Sequence, residues 1–167
     1  RRIVRALCLL SLVLPPVVGG IALLSAFGRR GVLGDVLWDG LGIRLPFSTA
    51  GVVLAQTFVA MPFLVLTVEA ALRSADRGID DAARTLGATR WTTFRRVTMP
   101  AIRPALVAGT VLAWARALGE FGATITFAGN TPGRTQTAPL AVYLALDADP
   151  TQALVLSFVL VAISFVV

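Results

Sequence analysis

Arg116 and Glu120 stand four residues apart in a stretch, 113–126, that carries no other charge. At 3.6 residues per turn, that spacing puts both side chains on one face of a helix, within reach of each other. Ionisable groups in an apolar stretch are functional candidates, because they are tolerated there only when paired or when they face a cavity. Arg116 can attract an anion. Glu120 would repel one, so it reads better as half of an ion pair that locks packing or a gate. Between and beside them lie Gly119, Phe121 and Gly122, and the two glycines, with Ala113, Ala115, Ala117 and Ala123, permit close helix approach. Thr124 and Thr126 offer hydroxyls, either to a pathway or back to the carbonyls of their own helix. Thr135, Gln136 and Thr137 add donors just ahead of Pro139, where capping and turn roles fit them about as well.

Three absences restrict other chemistry. The chain has no histidine, which removes the usual imidazole base and most catalytic zinc or iron sites. Cys8 stands alone, so neither an intrachain disulfide nor a cysteine metal cluster can form. All 15 basic residues are arginine, and without lysine the chain cannot carry a Walker A loop. Any nucleotide-driven work belongs to a partner, and no cofactor is expected on this chain.

The elements that must position these residues are membrane helices. The chain is 56% hydrophobic and 14% charged, with a mean hydropathy of +0.81, against about a quarter charged in a typical soluble domain. Apolar stretches at 6–27, 50–72, 105–128 and 153–167 read as spans, the first three long enough to cross a bilayer as tilted helices. Pro15-Pro16, Gly19-Gly20 and Pro62 interrupt them, as suits helices packed in a bundle. The stretch 153–167 would reach only about 22 Å, and the chain lacks an initial methionine, so the expectation is a bundle incomplete at both ends. A signal-sequence reading of 6–27 is disfavoured by the poor cleavage site at 23–27 and by the further spans. The run 139–146 is too short to span and reads as a re-entrant or interfacial turn of helix. Asp149-Pro150 reads as an N-cap with proline at the first helical position.

Arginine placement sets the expected orientation. Seven lie in the linker 73–104 and three precede the first span, whereas 28–49 holds three and 129–152 holds only Arg134. Positive-inside logic places the N-terminus and 73–104 in the cytoplasm and the other two linkers outside. The net charge of +6 does not signal nucleic-acid binding, because the arginines cluster between spans and form no stripe with interleaved aromatics.

Within 73–104, Ile79, Ala82, Ala83 and Leu86 recur at i, i+3, i+4 and i+7, one face of a short helix. Asp80 and Asp81 fall in its first turn and Gly87 is placed to end it. A second short helix is expected from about Thr89 to Met99, with Trp91 and Phe94 on one side and Pro100 as its stop. Periodicity alone fits either a connector lying on the membrane surface or a docking element for a soluble partner.

The spacing of particular residues favours the second. Asp81-Ala82-Ala83, three residues, Gly87, nine residues, then Val97-Thr98-Met99-Pro100 resembles the signature loop of ABC importer permeases, whose form is Glu-Ala-Ala, three residues, Gly, nine residues, Ile-x-Leu-Pro. Asp81, Val97 and Met99 are conservative departures. The run ARALGEFGATITFAGN (115–130), then Pro132-Gly133 and TQTAPL (135–140), resembles the molybdate-type branch, as do LPPVVGG (14–20) and QTFVAMPF (56–63). Sulfate-type permeases share Ala-Arg-Ala, Gly-Glu-Phe-Gly-Ala and a later Thr-x-Pro-Leu, and differ between them.

The resemblance implies an all-α, polytopic transmembrane helical bundle of the type I ABC importer permease fold, a single domain over 1–167, in a bacterial cytoplasmic membrane. It implies a non-enzymatic subunit that moves molybdate or tungstate by alternating access. Its expected partners are the lipid bilayer, a second permease copy, two ABC ATPase subunits that hold ATP and magnesium, and an external oxyanion-binding protein. Ile79, Asp80, Asp81, Ala82, Ala83, Arg84, Thr85, Leu86, Gly87 and Ala88 would dock the ATPase. Arg116, Gly119, Glu120, Phe121, Gly122, Thr124, Thr135, Gln136 and Thr137 are the pathway or gate candidates. Sulfate or thiosulfate import is the near rival. A secondary transporter is weakened by the lack of an acidic or histidine relay, Glu69 and Glu120 being the only carboxylates in the spans, and a membrane enzyme by the lack of a nucleophile–base set.

Overall fold

Two prolines decide how the first apolar stretch folds. Pro15 disfavours helical backbone at Leu14, and Pro16, whose missing N–H is harmless at a first helical position, restarts the helix. In the computed structural model, which describes residues 2–166 (with the side chains of residues 2–4, 7, 77, 80, 81, 84 and 166 outside the description), α1 is Arg2–Val13 and α2 is Pro16–Phe27. The stretch 6–27 is therefore divided between two helices, each of 12 residues, rather than forming one continuous helix.

The described residues are helical, with no strand among them. After α2, a π-helical turn at Val36–Gly40 leads to α3, Thr49–Ser74, which passes through Pro62 without ending. Short helices α4 (Arg77–Thr85) and α5 (Arg90–Thr93) precede a π-helical turn at Phe94–Thr98 and α6, Met99–Leu118. The remainder is α7 (Gly122–Ala128), α8 (Ala138–Ala148) and α9 (Pro150–Val166). Asp149 caps α9 as expected, its Oδ1 accepting from the N–H groups of Thr151 at 2.9 Å and Gln152 at 3.3 Å.

The chain divides into two compact units, Arg1–Pro62 with Trp114–Val167, and Phe63–Ala113. In the first, Leu23, Ala55, Val59, Ala123 and Phe127 form the buried core, with Leu24, Phe27, Leu45, Leu54 and Phe58 packed around it. The approach of α2 to α7 is close because both present glycine. A Cβ on Gly20 would lie 2.7 Å from Thr126 Cβ and 2.9 Å from the Ala123 carbonyl oxygen, and one on Gly122 would lie 3.0 Å from Pro16 Cβ. In the second unit, Gly109 of α6 plays the same part against α3, where a Cβ would meet Leu64 and Thr67 at 3.1 Å.

Many large apolar side chains lie on the outside. Leu154, Phe158 and Phe165 of α9 are mostly exposed, an arrangement suited to lipid and costly in water. α3, with mean hydropathy 2.0, and the helical run Arg90–Leu118 are long and apolar enough to cross a membrane, while α2, α8 and α9 are shorter apolar helices.

Candidate functional site

The first candidate lies in the second unit, between α3 and α6. Asp76 opens α4 by accepting the Gly78 N–H on Oδ1 at 2.8 Å, a cap the periodicity argument overlooks even though Asp directly ahead of a helical pattern is a start signal. The helix thus begins at Arg77, two residues earlier than expected, which puts Asp80 and Asp81 at its fourth and fifth positions. Their side chains, and that of Arg84, lie outside the described residues. Gly87 ends the helix as expected: its φ is +82°, and the Ala88 N–H reaches the Ala83 carbonyl at 3.0 Å, the six-to-one bond of a left-handed helix stop. Thr85 bonds back to the Ala82 carbonyl at 2.7 Å.

The apolar residues of this segment are left largely uncovered. Ile79 is 56% exposed and Leu86 is 89% exposed, Ala82 is exposed, and Ala83 is half-buried. Thr89 caps the next helix through its hydroxyl, which accepts the Thr92 N–H at 3.2 Å, and Trp91 stacks on Phe94 with ring centroids 5.8 Å apart. Pro100 does not stop this helix, contrary to expectation. The π-helical turn hands the Met99 N–H to the Phe94 carbonyl, five residues back. A π-helical turn is wider than an α-helical one, which eases the clash of a proline ring with the carbonyl four residues back. Arg73 pairs with Glu69 at 2.6 Å, in the favourable Glu-before-Arg order.

The second candidate lies in the first unit, where 105–128 breaks instead of continuing as one helix. α6 ends at Leu118, and residues 119–121 turn the chain into α7. Glu120 sits in this break, 1% exposed, with both carboxylate oxygens engaged: Oε2 accepts from Arg116 Nη1 at 2.6 Å, and Oε1 accepts the Ala123 N–H at 2.7 Å. The carboxylate therefore neutralises a cation and caps α7 at once, which is why a charge is tolerated there. Arg116 keeps 29% of its side chain exposed.

Other elements anchor the break. Gln56 of α3 donates from Nε2 to the Ala117 carbonyl at 3.4 Å, and Phe121 meets Tyr143 of α8 edge-on at 5.2 Å. Neither partner is marked by sequence spacing, although a lone amide in an apolar helix is a clue of the same kind as Arg116. Gly122 packs closely as expected, whereas Gly119 does not: it is exposed, and a Cβ there would meet only the Ala115 carbonyl at 3.9 Å. Thr126 bonds back to the Gly122 carbonyl at 2.8 Å. Thr124 is fully buried and its hydroxyl finds no protein partner.

Thr135, Gln136 and Thr137 lie in the loop between α7 and α8. Thr135 is 2% exposed and its hydroxyl accepts the Thr131 N–H at 2.8 Å, while the N–H groups of Arg134, Thr135 and Gln136 converge on the Thr131 carbonyl. That hydroxyl is spent inside the turn. Thr137 precedes α8 without a side-chain cap, and its hydroxyl has no partner. Among the described residues, no hydrogen bond or ion pair joins this loop to Arg116 or Glu120. No group of metal-ligating side chains occurs among the described residues.

Comparison with known proteins adds to this geometry. The family described as binding-protein-dependent transport system inner membrane component matches residues 1–167. The molybdenum transport system permease protein ModB of Mycobacterium bovis is 54% identical over 166 residues, covering 99% of this chain and 62% of that protein. The protein of the same name in Escherichia coli is 50% identical over 138 residues, covering 83% of this chain and 60% of that protein. The probable sulfate transport system permease protein cysT of Chlorokybus atmophyticus is 37% identical over 165 residues, covering 98% of this chain and 57% of that protein. The chain thus spans about three fifths of the length of the relatives it matches.

Proposed function

The chain belongs to the family of binding-protein-dependent transport system inner membrane components, and from that premise we propose that it is membrane-spanning permease sequence of an ATP-driven importer of molybdate, with tungstate as a close alternative cargo. Two permease copies pair, two ATPase subunits carry ATP and magnesium, and an external binding protein delivers the oxyanion. This chain hydrolyses nothing itself. Residues 73–104 and the N-terminus face the cytoplasm, a reading supported by the arginine placement.

The observation that carries this reading is the segment Arg77–Pro100. A capped helix ending at Gly87 presents Ile79 and Leu86 uncovered, and the Trp91–Phe94 stack follows. Residues 79–88 are the docking element for the ATPase, and its closure would move them and switch the spans between inward- and outward-facing. Arg116, Gly119, Glu120, Phe121, Gly122 and Thr124 form the gate region. There the exposed part of the Arg116 side chain is where an oxyanion would make contact, and Glu120 holds the break in place. Gln136 and Thr137 serve the outer mouth, in a loop whose shape Thr135 maintains. The molybdenum permeases similar to this chain support the cargo, and the sulfate relative makes sulfate or thiosulfate the second reading.

Reconstituting the full-length complex in liposomes tests the assignment. Molybdate uptake is expected only with ATP, and above that of sulfate. Uptake that ignores ATP and follows a proton or sodium gradient would overturn the importer reading, whereas a preference for sulfate would overturn only the cargo. A second test isolates the docking element. A side chain at Gly87 has open space but must adopt a left-handed backbone, at about 1–2 kcal/mol. Gly87→Leu is expected to lower ATP-driven uptake by about tenfold with normal membrane insertion, and Gly87→Asn, which tolerates that backbone, to retain most of it. Normal uptake by the leucine variant would displace the docking element from this segment.

A further inference from the structure

We propose that the end of α2 holds an anionic phospholipid, with its phosphate on Arg29 and Arg30 and an acyl chain along the outward face of the helix. A cavity of about 440 Å³ opens there, lined by Ile21, Leu24, Ser25, Gly28, Arg29 and Arg30. Its walls are apolar apart from one hydroxyl and two guanidinium groups, which is the composition of an amphiphile site rather than of a site for a free ion.

The two faces of α2 differ. Gly20 and Leu23 face inward, against α7 and the core. Val18, Ile21, Ala22 and Ser25 recur at i, i+3, i+4 and i+7 on the exposed face, where Val18 is 44% and Ile21 is 52% exposed. That stripe runs about 10 Å along the helix and ends at the arginines. It supplies a track for a hydrocarbon chain, with the cationic end where the apolar helix stops and a headgroup belongs.

The arginines have donors to spare. The last carbonyls of α2 are already taken by backbone: Gly28 N–H on Leu24, Val32 N–H on Ser25 and Leu33 N–H on Ala26. Among the described residues neither Arg29 nor Arg30 forms an ion pair, although Asp35 and Asp39 lie in the same linker. Arg29 and Arg44 instead lie over the Trp38 ring at 5.8 and 5.2 Å. A tryptophan that meets two guanidinium groups, in a linker with exposed Val32 and Val36, has the chemistry of a membrane–water boundary. Two cations without a carboxylate partner favour a phosphate-bearing lipid of net negative charge over a zwitterionic one. The placement holds whichever side of the membrane the linker occupies.

Native mass spectrometry of the purified full-length transporter provides the test, with phosphatidylglycerol or phosphatidylcholine of matched chains added. Wild type is expected to retain phosphatidylglycerol and not phosphatidylcholine, and R29Q/R30Q to retain it about thirtyfold less. Ile21→Gln, which leaves both arginines intact, is expected to weaken retention severalfold through the chain track. Arg134→Gln, a basic residue outside the cavity, should change nothing. Equal retention of the two lipids, or full retention by R29Q/R30Q, overturns the proposal. So does displacement of the lipid by millimolar inorganic phosphate, which would mark a free-anion site, or absence of bound lipid, which would mark a surface covered by another protein segment.

Discussion

Arg116→Leu is expected to destabilise the folded permease far more than Glu120→Gln, although the two residues share one ion pair. The reason is their unequal burial. Removing Arg116 leaves Glu120, 1% exposed, as an unpaired carboxylate, at a cost of about 3–5 kcal/mol. Removing the charge on Glu120 leaves an arginine with 29% of its side chain exposed, which can turn away, while the glutamine carbonyl still accepts the Ala123 N–H. That loss is about 1 kcal/mol. The double variant Arg116→Leu/Glu120→Leu should recover most of the loss, because an apolar pair replaces the buried charges, though α7 forfeits its cap at about 1 kcal/mol. Denaturant unfolding of the four proteins in the same detergent compares these losses. Equal losses for the two single variants would mean that the charge on Glu120 does not hold the break.

Gly20→Val is the second large effect, and here the cause is steric. The Cβ that valine adds would lie 2.7 Å from Thr126 Cβ and 3.1 Å from Ala123 Cα, and backbone on α7 cannot give way as the end of a flexible side chain would. Even Gly20→Ala should cost about 1–3 kcal/mol. Valine should separate α2 from α7 and abolish folded protein by size-exclusion chromatography. Gly119→Ala is the matched control: it adds the same methyl group where only the Ala115 carbonyl stands at 3.9 Å, and its melting curve should stay within about 0.5 kcal/mol of wild type. A stable Gly20→Val protein would show that α2 and α7 need not touch.

These contrasts mark what was legible in the sequence. An all-helical membrane bundle follows from apolar stretches with few charges, since nothing else satisfies backbone groups in lipid. The α4 helix and its end at Gly87 follow from 3.6-residue periodicity and a residue free to turn left-handed, both local properties. The pairing of Arg116 with Glu120 follows from spacing too. What spacing hides is where a helix stops and which glycine matters. The apolar stretch 105–128 breaks at 119–121 because Glu120 folds back to cap Ala123, a tertiary choice that hydropathy cannot register. Gly119 and Gly122 look alike in the sequence, yet only Gly122 faces a neighbouring helix. Pro100 signals a stop by its chemistry, and the turn that accommodates it depends on five ordinary residues before it. Asp76 was readable by its type and position, and an apolar stripe alone misses it.

The π-helical turn at Phe94–Thr98 also fixes a phase relation. An α-helix advances about 100° per residue, so a turn that holds one residue more than α-helical winding rotates everything before it by about that angle relative to everything after. Trp91 and Phe94 therefore point where they do, relative to the Gly109 face of α6, because of that surplus residue rather than their own count along the chain. A sequence one residue shorter there would keep the same side chains, the same hydropathy and the same helix, and would aim its aromatic pair about a quarter-turn away. Alignments that slide a gap through 94–98 as though it were neutral would then match residues that face different directions.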